Sequence, residues 1–329
     1  MSEKIAEGFG NLGELCEYHH SFIQDGKLTL VGRKYVAQPT HNWGHRVAFA
    51  GTYVLTFDKE AKQWERHDFP ELISDENVEE SLFMNDGKLY LLTYTNFGAI
   101  QFLKLFRWEN NSFNEIKLTA PEAKSLSEGR RTEVIAASGT TADGANIILV
   151  QDDNADIQIY QITVSGTSAA IDHTSHVSVD SNPLRGQPVL AEVSGDKVLI
   201  SYGVHGCGFR WENARLFIFD LKTSTARHVD IEGDYAELPK FCFSGPHCSF
   251  VNKDTKSWIV AVGSVQQGMT DSLFYGHVWA LKGNVFDEDS KPTWVELPQT
   301  VEDGEHILDG FTLYTVTKDV VSKVQLDEI

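Results

Sequence analysis

Three stretches of the sequence combine aromatic and basic side chains of the types that proteins use to bind other molecules. They run 38–46, 205–213 and 266–275, and further arginines lie between the predicted strands. Trp, Tyr, Phe and Arg are enriched at the energetic centres of protein interfaces, and Arg holds carboxylate or phosphate through two parallel hydrogen bonds. These residues therefore predict a binding site for a protein partner, including an anionic one. The candidate partner-binding residues are His41, Trp43, His45, Arg46, Arg131, Arg185, Phe209, Arg210, Trp211, Phe274 and Tyr275.

Other reactive residue types do not converge into a recognisable motif. The pairs His19/His20, His41/His45 and His173/His176 have ligand-like spacings, but a metal site needs three or four convergent ligands. The sequence has no Cys-x-x-Cys, His-Glu-x-x-His, Gly-x-Ser-x-Gly or phosphate-binding loop. Cys207 lies near His205 without a third orienting group nearby in sequence. We therefore predict no metal and no cofactor, and we assign no catalytic residue.

The stretch from Tyr18 to Pro70 shows which elements must position these residues. An apolar run meets the turn signal Asp25-Gly26, and a second run rich in β-formers follows from Leu28 to Val31. Asp-Gly between two such runs predicts a tight hairpin, because Gly accepts the positive φ of the turn. A third strand at 53–57, a polar turn and a strand that begins near Trp64 complete the stretch. It therefore predicts one four-stranded antiparallel sheet.

This pattern repeats along the chain. The corresponding turns are marked by Gly26, Gly87, Gly144, Asp196, Thr255 and Gly310, at spacings of 61, 57, 52, 59 and 55 residues. The second half of the unit also recurs, as a strand that ends near an acidic residue, a polar turn and a strand with an early aromatic residue. Six units of four strands predict an all-β, six-bladed β-propeller. Seven blades stay open as an alternative, because the weak third and long fifth units have room for another strand pair.

We predict a single propeller domain over residues 1–329. Its blades would lie at about 15–70, 75–120, 130–175, 185–235 and 240–300, with a last blade at 305–329 that residues 1–14 complete. Pairing of the N- and C-terminal strands would remove an exposed edge, and we expect residues 5–12 to supply the outer strand of that blade. The loops between second and third strands would emerge on one face. This loop face would carry the three aromatic and basic stretches.

The repeats resemble kelch repeats. The first combines His20-Ser21-Phe22-Ile23 and Asp25-Gly26-Lys27 with Gly32, Tyr53, Phe57-Asp58 and Trp64. The fifth combines His247-Cys248-Ser249-Phe250-Val251 with Gly263 and Trp294. The double glycine of the family after the second strand is absent from every unit. The resemblance implies a scaffold or adaptor that recruits a protein partner through the loop face and the channel mouth.

An enzyme or small-ligand binder is the alternative, since some propellers of this kind carry a site at their axis. Such a site would combine His205 or His45 with Arg46, Arg210 and Glu212. A narrow polar pocket at the axis would favour this alternative, and a broad aromatic face would favour the scaffold.

Composition limits the classes of partner and the compartment. The net charge of −19 argues against binding to nucleic acid or to an anionic membrane surface. The chain has four cysteines, no apolar run of transmembrane length and no signal-peptide pattern among its first residues. We therefore expect a reducing compartment, the cytoplasm or the nucleus.

Overall fold

In a computed structural model, the described residues of the chain fold mainly into β-strands. The structure describes residues 2–13, 16–39, 45–69, 78–95, 99–125, 133–151, 156–178, 186–204, 215–232, 241–242, 248–252, 256–267, 271–302 and 304–326. Its elements up to residue 125 are β1 (Glu3–Glu7), a 3-10 helix (Gly10–Gly13), β2 (Cys16–Gln24), β3 (Lys27–Pro39), β4 (His45–Asp58), β5 (Gln63–Phe69), β6 (Val78–Asn85), β7 (Lys88–Thr95), β8 (Ala99–Glu109), β9 (Ser112–Thr119) and β10 (Lys124–Ser125). They continue with β11 (Glu133–Ala136), β12 (Asn146–Gln151), β13 (Asp156–Ser165), β14 (Ser168–Ser178), β15 (Gly186–Ser194), β16 (Lys197–Val204), β17 (Arg215–Asp220) and β18 (Thr225–His228). The last are β19 (Phe241–Cys242), β20 (Cys248–Asn252), β21 (Lys256–Gln267), β22 (Asp271–Lys282), β23 (Thr293–Thr300), β24 (Glu305–Asp309), β25 (Thr312–Val316) and β26 (Val320–Gln325).

Consecutive strands pair antiparallel into sheets of one repeated order. We call β2–β5 the first sheet, β6–β9 the second, β11–β14 the third, β15–β18 the fourth and β19–β23 the fifth; β24–β26 with β1 form the C-terminal sheet. The second and third sheets are joined at their outer strands, where Ser168–Ala170 of β14 pair parallel with 117–119 of β9. In the fifth sheet, both β19 and β20 pair with β21.

Tight turns connect the first two strands of several sheets, as their sequences predict. Gln24 pairs with Lys27 and Asn85 pairs with Lys88, so each loop is the two residues Asp-Gly. Both residues of each loop have positive φ, 49° and 75° at Asp25 and Gly26. Two positive φ values define the type I′ turn, whose twist matches that of the flanking strands. The turn predicted around Asp254 lies outside the described residues.

The repeated acidic residue at the end of the third strand holds the next turn. The Asp58 carboxylate accepts hydrogen bonds from the backbone N–H groups of Glu60 and Ala61, both at 2.9 Å. Asp220 accepts equivalent bonds from Lys222 and Thr223 at 2.9 and 3.0 Å. The aromatic residue that follows packs back onto the third strand; the Trp64 and Phe57 rings lie 5.0 Å apart. In these two sheets, the acidic residue therefore stabilises the turn, and in the first sheet the aromatic residue stabilises the strand pair.

The two ends of the chain meet in the C-terminal sheet. β1 pairs antiparallel with β26 from Glu3↔Lys323 to Glu7↔Val320. This is the predicted pairing of terminal strands, but the N-terminal strand lies at 3–7 and not at 5–12. After β1, Gly10 N–H donates to the Lys318 carbonyl at 2.8 Å, in the turn between β25 and β26, and residues 10–13 form the 3-10 helix.

Six apolar clusters lie between neighbouring sheets among the described residues. One cluster joins the first and second sheets through Val31, Val54 and Leu82, and the next four clusters join successive sheets in the same way. The sixth joins the C-terminal sheet back to the first through Ile307, Val316 and Leu30. The first strands of neighbouring sheets lie beside one another on the inside, as β24 lies beside both β2 and β20. The core is therefore divided into apolar layers between sheets.

Candidate functional site

The second and third strands of the first sheet pair with each other past the last described pairs of their neighbours. β3 and β4 pair as far as Pro39↔His45. Among the described residues, the last pair of β2 with β3 is Cys16↔Lys34 and the last pair of β5 with β4 is Thr52↔Phe69. Residues 35–39 and 45–50 pair with each other past these described pairs. We call this ladder the first projecting hairpin.

The fifth sheet has an equivalent extension. β21 and β22 pair as far as Gln267↔Asp271, past Cys248↔Val260, which is the last pair of β20 among the described residues. The short strand β19 lies against this extension, with Cys242↔Ser264 and Phe241↔Val265. Because the sheets share one strand order, both extensions emerge on the face of the second-to-third strand loops. We call this extension the second projecting hairpin.

Four of the residues predicted to bind a partner lie on these hairpins. His45 and Arg46 begin β4, and Arg46 pairs with Gln38 of β3. Phe274 of β22 pairs with Ser264 of β21. Tyr275 also lies in β22, at a bulge where two extra residues separate Phe274 from His277. The other predicted residues lie outside the described residues: His41, Trp43, Arg131, Arg185, Phe209, Arg210 and Trp211.

The predicted loops at 38–46 and 266–275 are correspondingly too long. The strand ladders extend through these stretches and leave only residues 40–44 and 268–270 between paired strands. The reason is that a bulge accommodates an extra residue in one strand without ending the ladder. In the first sheet, Lys34 pairs with Gly51 and Tyr35 pairs with Phe49, so β4 has one extra residue between these two pairs.

A buried ion-pair cluster lies at the base of the first projecting hairpin. Arg33 of β3 donates from Nε to Glu80 Oε1 at 3.0 Å and from Nη2 to Glu79 Oε2 at 3.2 Å. The Thr52 hydroxyl of β4, opposite Arg33 in the ladder, donates to Glu80 Oε2 at 3.2 Å. The two glutamates belong to β6, so the cluster joins the first and second sheets just below the point where the hairpin leaves the sheet.

The ionisable side chains of this cluster differ in burial, and burial shifts the pKa of Glu80. The Glu80 side chain is fully buried, whereas those of Arg33 and Glu79 are 12% and 25% exposed. Burial raises the pKa of the Glu80 carboxyl above its usual range, and the charge of Arg33 partly offsets this rise. Both Glu80 oxygens have a hydrogen-bond donor and neither is accessible to a substrate. The arrangement therefore suits a brace for the hairpin and does not suit a reacting group.

Sequence reasoning did not find this cluster. The available signal was Glu79-Glu80 at the start of a strand that is otherwise mostly apolar, together with Arg33 in the middle of another strand. Their distance in sequence conceals the pairing, because Glu80 lies 47 positions after Arg33.

Two negative findings apply to the residues that the structure describes. Among them, no group of three or more His, Cys, Asp or Glu side chains could hold a metal ion. None of their helices has both the length and the apolar character needed to cross a membrane.

The structure is similar to several solved structures at low sequence identity. A Hadza microbial sialidase matches 99% of this chain and 68% of its own with a TM-score of 0.55 at 9% identity. The major allergen Mala s 1 of Malassezia sympodialis matches 90% of this chain and 89% of its own, with a TM-score of 0.48 at 12% identity. The WD40 domain of SCAP from fission yeast matches 99% of this chain and 98% of its own, with a TM-score of 0.42 at 10% identity.

The fold therefore defines the class of this protein as all-β, built from antiparallel sheets, and the structural likeness supports a β-propeller. No protein-family model matches the sequence, for the kelch family or any other, and no curated protein matches it.

Proposed function

We propose that this chain is a six-bladed, kelch-like β-propeller that acts as an intracellular protein-interaction scaffold. Each four-stranded sheet would be one blade, and the pairing of β1 with β26 would close the ring. The order of the apolar clusters supports this count, since each sheet packs on two neighbours and the C-terminal sheet packs on the first. A closed ring leaves a rigid platform whose loops are available for binding.

The observation that carries the proposed function is the pair of projecting hairpins on the loop face. The first contains eleven residues in its two strands, and Arg46 is the only Asp, Glu, Lys or Arg among them. Charged residues make up 23% of the whole chain. Depletion of charge with retention of aromatic residues and Arg is the composition of an interface centre.

Arginine supports a partner that presents carboxylate or phosphate groups. Arg46 lies on the first projecting hairpin, and Arg131, Arg185 and Arg210 belong to the same predicted face. On a chain with a net charge of −19, a local group of arginines would direct an anionic segment to this face. We propose this face, with the eleven predicted residues, as the partner-binding surface.

The test is a pull-down from cell extract with quantitative identification of retained proteins. The wild-type chain is compared with an Arg46→Glu, Arg210→Glu, Trp211→Ala variant. The matched control is Lys62→Glu, Lys222→Glu, which makes the same charge change in two exposed turns on the opposite face. Circular dichroism verifies that each variant folds.

We expect the wild type and the control to retain the same partners and the loop-face variant to lose them. Equal retention by all three proteins would overturn the assignment of the face. If none retains a partner, the scaffold proposal is wrong. A thermal-shift screen with metabolites would then test the enzyme or small-ligand alternative.

A further inference from the structure

Arg33, at the base of the first projecting hairpin, is shared by two carboxylates of the neighbouring sheet. Its Nε donates to Glu80 at 3.0 Å, and its Nη2 donates to Glu79 at 3.2 Å. A guanidinium can hold one carboxylate with two parallel hydrogen bonds. Here Nε and Nη2 are divided between two side chains instead, so each carboxylate accepts one of these two donors.

Glu80 is the fixed member of the pair. Its side chain is fully buried, and its second oxygen accepts a hydrogen bond from the Thr52 hydroxyl at 3.2 Å. Leaving Arg33 would place this carboxylate without a counter-charge in a medium of low polarity, which is costly. Glu80 therefore stays on Arg33 while the first and second sheets remain packed.

Glu79 is the exchangeable member. Its side chain is 25% exposed, so water can solvate its carboxylate when it turns away from Arg33. A partly exposed ion pair of this kind contributes little stability. The charge of Glu79 also adds to the burial that raises the pKa of Glu80, which shows that the two carboxylates repel each other. Glu79 is therefore the carboxylate that an incoming anion can replace.

The Arg33–Glu79 contact lies in the half of the molecule that carries the proposed partner-binding surface. Glu79 is the second residue of β6, a strand that runs away from the loop face and ends at the Asp86-Gly87 turn. Arg33 precedes the first residue of the first projecting hairpin by two positions. A segment bound on the loop face would therefore pass near this contact.

We propose that Glu79 occupies an anion subsite on Arg33 and is displaced from it by a carboxylate or phosphate group of an acidic peptide segment of the partner. This inference rests on the proposed function, because it names the chemical group that the partner presents and the residue that receives it. In the free chain, Glu79 fills the subsite. Arg33 keeps Glu80 throughout the exchange, so the brace between the first and second sheets stays in place.

The test measures anion binding at Arg33 by NMR, through the Nε–H signal of its side chain. The probes are an N-acetylated hexaglutamate peptide and, separately, inorganic phosphate. We expect Glu79→Gln, which removes the competing charge, to bind the probes about twofold to fivefold more tightly than the wild type does. Glu79→Asp keeps the charge but is one methylene shorter and withdraws from Arg33, so it should also bind more tightly.

A matched control separates this effect from the change in net charge. Glu115→Gln removes a carboxylate from an exposed pair with Lys104, whose nitrogen and oxygen lie 3.1 Å apart. This variant should bind the probes as the wild type does. Circular dichroism verifies that all the variants fold.

Each result decides the inference. Tighter binding of either probe by both Glu79 variants supports it, and the relative affinities of the two probes show whether carboxylate or phosphate is preferred. A gain for Glu79→Gln with none for Glu79→Asp would indicate charge repulsion without displacement and would overturn the inference. Equal affinity in all four proteins, or no shift of the Arg33 signal with millimolar probe, would overturn it as well.

These results are independent of the pull-down. A gain in both Glu79 variants would support the subsite even if the loop-face variant retains every partner. Partners that the loop-face variant loses, together with no gain in the Glu79 variants, would support the scaffold and refute the subsite.

Discussion

The brace at the base of the first projecting hairpin makes a quantitative prediction. Replacing Arg33 by Met keeps much of the side-chain volume but removes the cation that Glu80 and Glu79 share. Because Glu80 is fully buried, its carboxylate would keep its desolvation cost and lose its compensating charge. Removing one partner of a buried pair costs about 3–5 kcal/mol of unfolding free energy. We expect a loss in this range for Arg33→Met at neutral pH.

The dependence of this loss on pH follows from the direction of the pKa shift. Burial already raises the Glu80 pKa, and removal of Arg33 would raise it further. A carboxyl group whose folded pKa exceeds its unfolded value contributes stability below the unfolded pKa, and this contribution is lost as pH rises through the folded pKa. The Arg33→Met variant should therefore lose stability relative to the wild type as pH rises from acidic to neutral.

Urea unfolding followed by circular dichroism at several pH values measures this loss. Arg33→Met with Glu80→Gln contains no buried charge at this position, so it should be more stable at neutral pH than Arg33→Met alone, and its pH trend should be flatter. Lys34→Met is the matched control, because it removes an exposed cation from the next position of β3 and should change stability by less than about 0.5 kcal/mol. A loss for Arg33→Met no larger than that control, or one that is the same at every pH, would refute the reasoning.

Two further predictions concern the first sheet. Gly32→Ala should lower the free energy of unfolding by about 1–3 kcal/mol, because a Cβ there would overlap the ring of the fully buried Tyr53 directly opposite. In a Tyr53→Val background, the same change should lower the free energy of unfolding in urea by clearly less. Equal losses in the two backgrounds would contradict the steric argument. Asp58→Ala should lower the midpoint of thermal unfolding at neutral pH, since the Ala61 and Glu60 N–H groups hold the Asp58 pKa below its usual value. Because a lowered carboxyl pKa contributes stability above the unfolded value and loses it as pH falls, the difference from the wild type should shrink toward pH 2; a difference that grows on acidification would count against this account.

Local features of the fold could be predicted from the sequence because their causes lie within a few residues. Asp25-Gly26 and Asp86-Gly87 form the expected turns, since the positive φ of both positions is a local steric preference. The acidic residue at the end of the third strand and the aromatic residue after it also act locally in the first sheet, as Asp58 and Trp64 show. The pairing of terminal strands followed from a unit that lacked its fourth strand.

The tertiary structure alone decided the features that depend on residues far apart. The partner of Arg33 lies on the next sheet, and no sequence pattern specifies which strand supplies a buried counter-charge. The parallel pairing of β9 with β14 depends on how two sheets twist against each other.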